Sequence, residues 1–141
     1  MILFLDFDGV LHTINRSRGT FEHLVLFESV LRDFPQVDIV ISSAWREDHS
    51  LEELQSFFST DIRRRIIDAT PVLHHLSQRH LRQAEIMLWL REVGREYEGW
   101  VALDDSDWLF SPLCRNLVLV DPDTGFSPDA EKRLRKKLSG H

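Results

Sequence analysis

Four short, unbroken apolar runs, each ending abruptly in polar residues, constrain the fold most: Ile2 to Leu5, Ile39 to Ile41, Val101 to Leu103 and Leu117 to Val120. Runs of this length are too short for helices. Continuous apolar character suits strands whose two faces are both covered, as in a parallel sheet. A weaker run, Ile66-Ile67, offers a fifth strand. Between the runs the apolar residues switch to helical spacing. Phe27, Val30, Leu31 and Phe34 lie along one face and stop before Pro35. Ser50-Leu51-Glu52-Glu53 has the form of a capping box and is followed by Leu54, Phe57 and Phe58. Ile86, Trp89, Leu90, Val93 and Tyr97 mark one side of a longer helix. Ser127 and Pro128 open a last helix whose acids, Asp129 and Glu131, precede its bases, Arg135, Lys136 and Lys137, in the order the helix dipole favours. Strands alternating with helices predict an α/β fold with right-handed crossovers.

At 141 residues and 43% hydrophobic content, one domain spanning 1–141 is expected, with a core of ordinary size. The formal charge of -6 argues against a general nucleic-acid binder, while leaving local basic patches open. Cys114 is the only cysteine, so an internal disulfide is excluded and a cytoplasmic location is the default expectation. The apolar start, Met1 to Leu5, has no basic flank and is too short for a signal or membrane segment, so no membrane partner is expected.

The residues at the end of each strand carry the chemistry. The first run leads into Asp6-Phe7-Asp8-Gly9, the second into Ser42-Ser43 and the third into Asp104-Asp105. Ligands of open α/β sheets bind in the crevice beyond the carboxyl ends of the strands, so these residues can meet in one place. Carboxylates gathered there raise one another's pKa unless a cation neutralises them. Mg²⁺, which takes one or two carboxylates and fills its shell with water and phosphate oxygens, suits the inventory and implies an anionic substrate. In an extended segment Asp6 and Asp8 point to one side and Phe7 to the other. Two such carboxylates can divide the work, one attacking phosphorus and the other protonating the leaving oxygen and then activating water. Gly9 permits a sharp turn beside them.

The run Phe4-Leu5-Asp6-Phe7-Asp8-Gly9-Val10-Leu11 resembles the first motif of the haloacid dehalogenase (HAD) superfamily, mostly phosphatases and phosphotransferases. Ile39-Val40-Ile41-Ser42 is similar to its second motif and Asp104-Asp105 to its fourth, in the family's order. Ser42-Ser43-Ala44-Trp45-Arg46, Arg82 through Glu85-Ile86, Trp89-Leu90 and Leu103-Asp104-Asp105 resemble a compact HAD subfamily that includes domains attached to RNA repair proteins. The resemblance implies a three-layer Rossmann-like parallel sheet with helices on both faces. It makes Asp6 nucleophile and metal ligand, and Asp8 the acid and base, binding metal through its backbone carbonyl. Asp105 becomes the fourth-motif metal ligand, with Asp104 on the metal side too, supporting it or contacting a metal-bound water. Ser42, with Ser43 as its alternative, and Arg82, with Arg79 as its rival, would bind the phosphoryl oxygens. The segments Val10 to Val37 and Trp45 to His80 leave no room for a folded cap, so the site is expected to be open, even to a macromolecular phosphate ester.

Other residues have plainer readings. Asp107 suits a cap better than a metal's outer shell, and Arg46 fits either a brace or a substrate contact. Arg16 and Arg18 can steer an anion but suit a solvated loop. Arg63-Arg64-Arg65 read as a solvated face, and Trp45, Trp89, Trp100 and Trp108 as core or site-framing residues. His74, His75 and His80 lack the Cys partners and spacing of a zinc site.

Overall fold

The computed structural model describes residues 1–74 and 79–140. Five strands, β1 (Ile2–Leu5), β2 (Asp38–Ile41), β3 (Ile66–Ala69), β4 (Trp100–Asp104) and β5 (Leu117–Leu119), form one parallel sheet in the order β3-β2-β1-β4-β5. All the predicted runs are strands, including the weak one at Ile66. Leu3, Leu5, Ile39, Ile41, Val101 and Leu103 face one layer, packing with Phe27, Val30 and Leu31 of α1 (Leu24–Asp33). Ala130, Leu134 and Leu138 of α5 (Pro128–Leu138) complete that layer. Ile2, Phe4, Val40 and Ala102 point the other way, onto Ile86, Trp89 and Leu90 of α4 (Leu81–Glu92). The strands are apolar without interruption because both faces of the sheet are covered. The result is the expected three-layer, Rossmann-like architecture.

Helix ends follow local chemistry. In α2 (Leu51–Ser56) the Ser50–Glu53 capping box forms as read from sequence. α4 stops short of its expected length: Gly94 takes φ +73, its N–H donates to the Arg91 carbonyl, and the Arg95 N–H donates to Leu90. That Schellman arrangement ends the helix. Tyr97 therefore lies beyond it, 95% exposed. In the basic run that begins at the end of α3 (Thr60–Arg63), Arg63 and Arg64 are exposed as expected, and Arg65 is the correction. Arg65 donates to the carbonyls of Leu31, Phe34 and Val37, closing the end of α1, and Arg63 donates to those of Gln55, Ser56 and Phe58. Trp108 is not a core residue; it is 70% exposed.

From β1 the chain builds outward through β2 and β3, then crosses back to place β4 on the other side of β1. The order reverses between β1 and β4, where such sheets open a crevice at their carboxyl ends. Between β2 and β3 lie only a 3-10 turn (Ala44–Glu47), α2 and α3, and among the described residues no cap domain covers that crevice. No helix among them is long and apolar enough to cross a membrane.

Candidate active site and metal centre

β1 and β4 run side by side, and the Asp6 N–H continues their ladder by donating to the Leu103 carbonyl at 3.0 Å. This register sets Asp6 beside Asp104 and Asp105. Carboxylate oxygens of all three lie within 4.8 Å of one another, with Asp6 7% and Asp104 1% exposed. No other such group of His, Cys, Asp or Glu occurs among the described residues; His75 lies outside them. Burial, then repulsion from Asp104 and Asp105, pushes the Asp6 carboxyl well above its ordinary range, against the opposing pull of Arg82. Burial likewise pushes Asp104 up to about 7, although Arg82 and the Ser106 N–H favour its charge.

The donor set fits a hard divalent cation. Three oxygen ligands converge, and the buried Asp104 Oδ2 has no hydrogen-bond partner. Gly9 is what leaves them room. Its φ is +77, and a Cβ there would come 2.7 Å from the Asp105 Cγ and nearer still to its Oδ2.

The metal-free fold should therefore lose stability as pH rises. A carboxyl with a raised folded-state pKa stabilises fully below its unfolded value near 3.8, and that contribution disappears as pH climbs through about 7 for Asp104. A divalent cation, binding the ionised cluster, is expected to raise the melting temperature more at pH 8 than at pH 5.5. Equal shifts in thermal melts at the two values would contradict a metal site here.

Beyond β2, the Ser42 N–H extends the ladder to the Leu5 carbonyl, setting Ser42 at the same rim, 1% exposed. The two serines differ in use: the Ser43 hydroxyl accepts from the Trp45 N–H and caps the 3-10 turn. Arg82, in the first turn of α4, donates from Nη1 to Glu85 Oε1 at 3.0 Å and points Nε at Asp104 Oδ2 at 3.8 Å, an atom pair in which neither member is hydrogen-bonded. Arg79 is exposed and lies before the helix.

Arg46 is a brace. Its guanidinium donates to the carbonyls of Ser42, Ser43, Thr70 and Pro71 and pairs with Glu85 Oε2 at 2.8 Å. All five donors of an arginine are thereby engaged. Glu85 also accepts from the Leu73 N–H, so one buried carboxylate ties β2, the segment after β3 and both arginines together.

Asp8 is not in the acidic cluster. β1 ends at Leu5, and the N–H groups of Val10 and Leu11 both turn back to the Phe7 carbonyl, so the alternation expected of an extended segment breaks before Asp8. Its carboxylate meets His12 Nε2 at 2.8 Å, Trp45 Nε1 at 3.0 Å and Arg16 Nη2 at 3.3 Å. Partial burial opposes ionisation of Asp8, but these donors together outweigh it and hold the pKa below its ordinary value. Arg16 also leans over the Trp45 ring, so it is not a purely solvated residue. Asp107 is exposed in the 3-10 turn Asp107–Leu109, whose capping position is held by Ser106. His12, fully buried, went unnoticed in the sequence, where it reads as one more residue of the apolar run after Gly9.

Residues 2–130 match the family described as the HAD domain in Swiss Army Knife RNA repair proteins. No curated protein and no solved structure gives a significant match. The match covers the whole sheet and each strand end that contributes to the cluster, and on that evidence the chain belongs to this family of HAD hydrolase-type domains.

Proposed function

We propose that the protein is a Mg²⁺-dependent phosphomonoester hydrolase working through an aspartyl-phosphate on Asp6. The observation that carries this reading is the group of buried Asp6 and Asp104 with half-buried Asp105, facing the Arg82 guanidinium at the switch point of the sheet. When bound by Asp6, Asp104, Asp105 and the Asp8 carbonyl, Mg²⁺ supplies charge neutralisation for the phosphoryl oxygens and for the attacking carboxylate. An Asp6 oxygen attacks phosphorus while the ester P–O bond breaks, and the leaving oxygen takes its proton from Asp8 in its protonated form, the minor form in the substrate-free site because the His12, Trp45 and Arg16 donors favour the carboxylate. Asp8, now ionised, removes a proton from water as that water attacks phosphorus, and the Asp6 carboxylate is regenerated with inorganic phosphate released. Arg82 and the Ser42 hydroxyl hold the transferring oxygens. Ser43, whose hydroxyl caps a turn, is better placed to shape the loop. These parts act mainly by position and charge.

A second reading narrows the substrate to phosphorylated RNA ends. The RNA repair description of the family and the uncapped crevice favour it, while the net charge of -6 does not. Phosphate release should be measured from an aryl phosphate, phosphorylated metabolites and RNA carrying 3′- or 5′-phosphate, with Mg²⁺ and with excess chelator. Metal-dependent release is expected from at least one class. A preparation that binds phosphate analogues yet turns over none would replace the hydrolase with a phosphate-sensing module.

A further inference from the structure

We infer that His12 is a positioning residue for the acid/base carboxylate, forming with the Trp45 indole a rigid clamp that fixes how Asp8 faces the leaving group. The inference rests on the phosphatase reading. His12 is fully buried, and its two ring nitrogens have different partners. The Phe21 N–H donates to Nδ1 at 3.2 Å, so that nitrogen must carry a lone pair, and the ring proton must sit on Nε2, 2.8 Å from Asp8 Oδ1. Trp45 Nε1–H, which has no other tautomer, serves Oδ2 at 3.0 Å. Each carboxylate oxygen thus has its own fixed neutral donor, and lone pairs remain for the catalytic proton.

The ordinary alternative is a core histidine that has merely satisfied its nitrogens. Two observations favour a positioning role. The target of Nε2–H is a carboxylate whose side chain remains 39% exposed, two positions after Asp6, not an interior carbonyl. The amide that sets the tautomer belongs to Phe21, held at φ +63, a conformation bulky residues avoid and that neighbouring packing must enforce. That packing is aromatic: Phe21 lies against His12, Phe7, Trp45 and Phe57. Arg16, the third donor, is 46% exposed and can leave Asp8 for a substrate, whereas His12 cannot move away.

A group that aligns the acid matters in proportion to how much the leaving oxygen needs a proton. The test compares wild type and His12→Phe, which keeps a ring in the aromatic cluster, on an alkyl phosphate and on a nitrophenyl phosphate. The quantity is kcat/KM, which reports only through transfer to Asp6. Loss of about 100-fold on the alkyl ester and less than about 5-fold on the aryl ester is expected, since general acid catalysis contributes roughly 10²–10⁴ when the leaving group is poor. An equal loss on both esters would make His12 merely structural and overturn the inference while leaving the phosphatase reading intact. A wild type inert on every phosphate would remove both. Should His12→Phe not fold, ¹⁵N shifts of the wild-type imidazole decide instead: an Nε2-protonated ring is expected, and an Nδ1-protonated ring overturns the clamp.

Discussion

Asp6→Asn is expected to abolish phosphate release and, at the same time, to stabilise the metal-free fold. The amide cannot form an aspartyl-phosphate, and loss of a nucleophile typically costs at least about 10³-fold in turnover. The opposite sign for stability comes from the surroundings. Asp6 is buried against Asp104 and Asp105, and its carboxyl is displaced well above the usual range by that burial and repulsion. Above neutral pH the metal-free fold must either ionise Asp6 against two neighbours or hold a proton that the unfolded chain would release. Asparagine avoids both, and its NH₂ can reach oxygens such as the unpartnered Asp104 Oδ2. Relief of that burial and repulsion means that thermal melts at pH 8 without metal should rise. Near pH 4, where Asp6 is already protonated, the gain should vanish, and stabilisation by Mg²⁺ should shrink at every pH. A variant that lost stability at pH 8 while keeping a tenth of its activity would mean that Asp6 is a structural residue.

The sequence made the sheet and the acidic rim legible for the same reason. Unbroken apolar runs such as Ile39 to Ile41 are required by a two-sided sheet, and the residue after each run lies at the carboxyl end. Nothing beyond that boundary keeps a period. Asp8 escapes the alternation argument because the strand has ended and the backbone turns on the Phe7 carbonyl. Tyr97 fits a helical spacing that Gly94 has already terminated. Arg46, Arg65 and His12 are set by partners 3 to 39 positions away in sequence, many of them backbone carbonyls that no side-chain pattern reveals. Burial of His12 and Arg46 is thus a tertiary fact, although each belongs to a stretch whose chemistry was already in view.

The largest effect on stability should come from a residue that need not touch substrate at all. Glu85→Ala removes the counter-charge of Arg46, whose side chain is 3% exposed and held in place by four backbone carbonyls. The guanidinium cannot swing out to water without releasing the ends of β2 and β3, so the substitution strands a buried cation. Breaking a buried pair in this way costs about 3–5 kcal/mol, and the Leu73 N–H loses its acceptor as well. For a chain of this size the melting temperature should fall by roughly 10 °C or more. Arg82 would lose the carboxylate that anchors its Nη1 while keeping Asp104 in reach of Nε, so any activity that survives should bind phosphate less tightly. A double-mutant cycle with Arg46→Met separates the pair from its surroundings. Since the second substitution removes the charge that the first has stranded, the double variant should lose about 2–3 kcal/mol less than the two single losses added together. Additive losses, or a Glu85→Ala protein within about 1 kcal/mol of wild type, would show that the two arginines are held independently. The rim would then owe its shape to the strands alone. With a strong coupling, the buried carboxylate is what lets one helix, α4, carry Arg82 to the ends of β1 and β4 while Arg46 fixes the end of β2, so that phosphate and metal ligands keep a common frame.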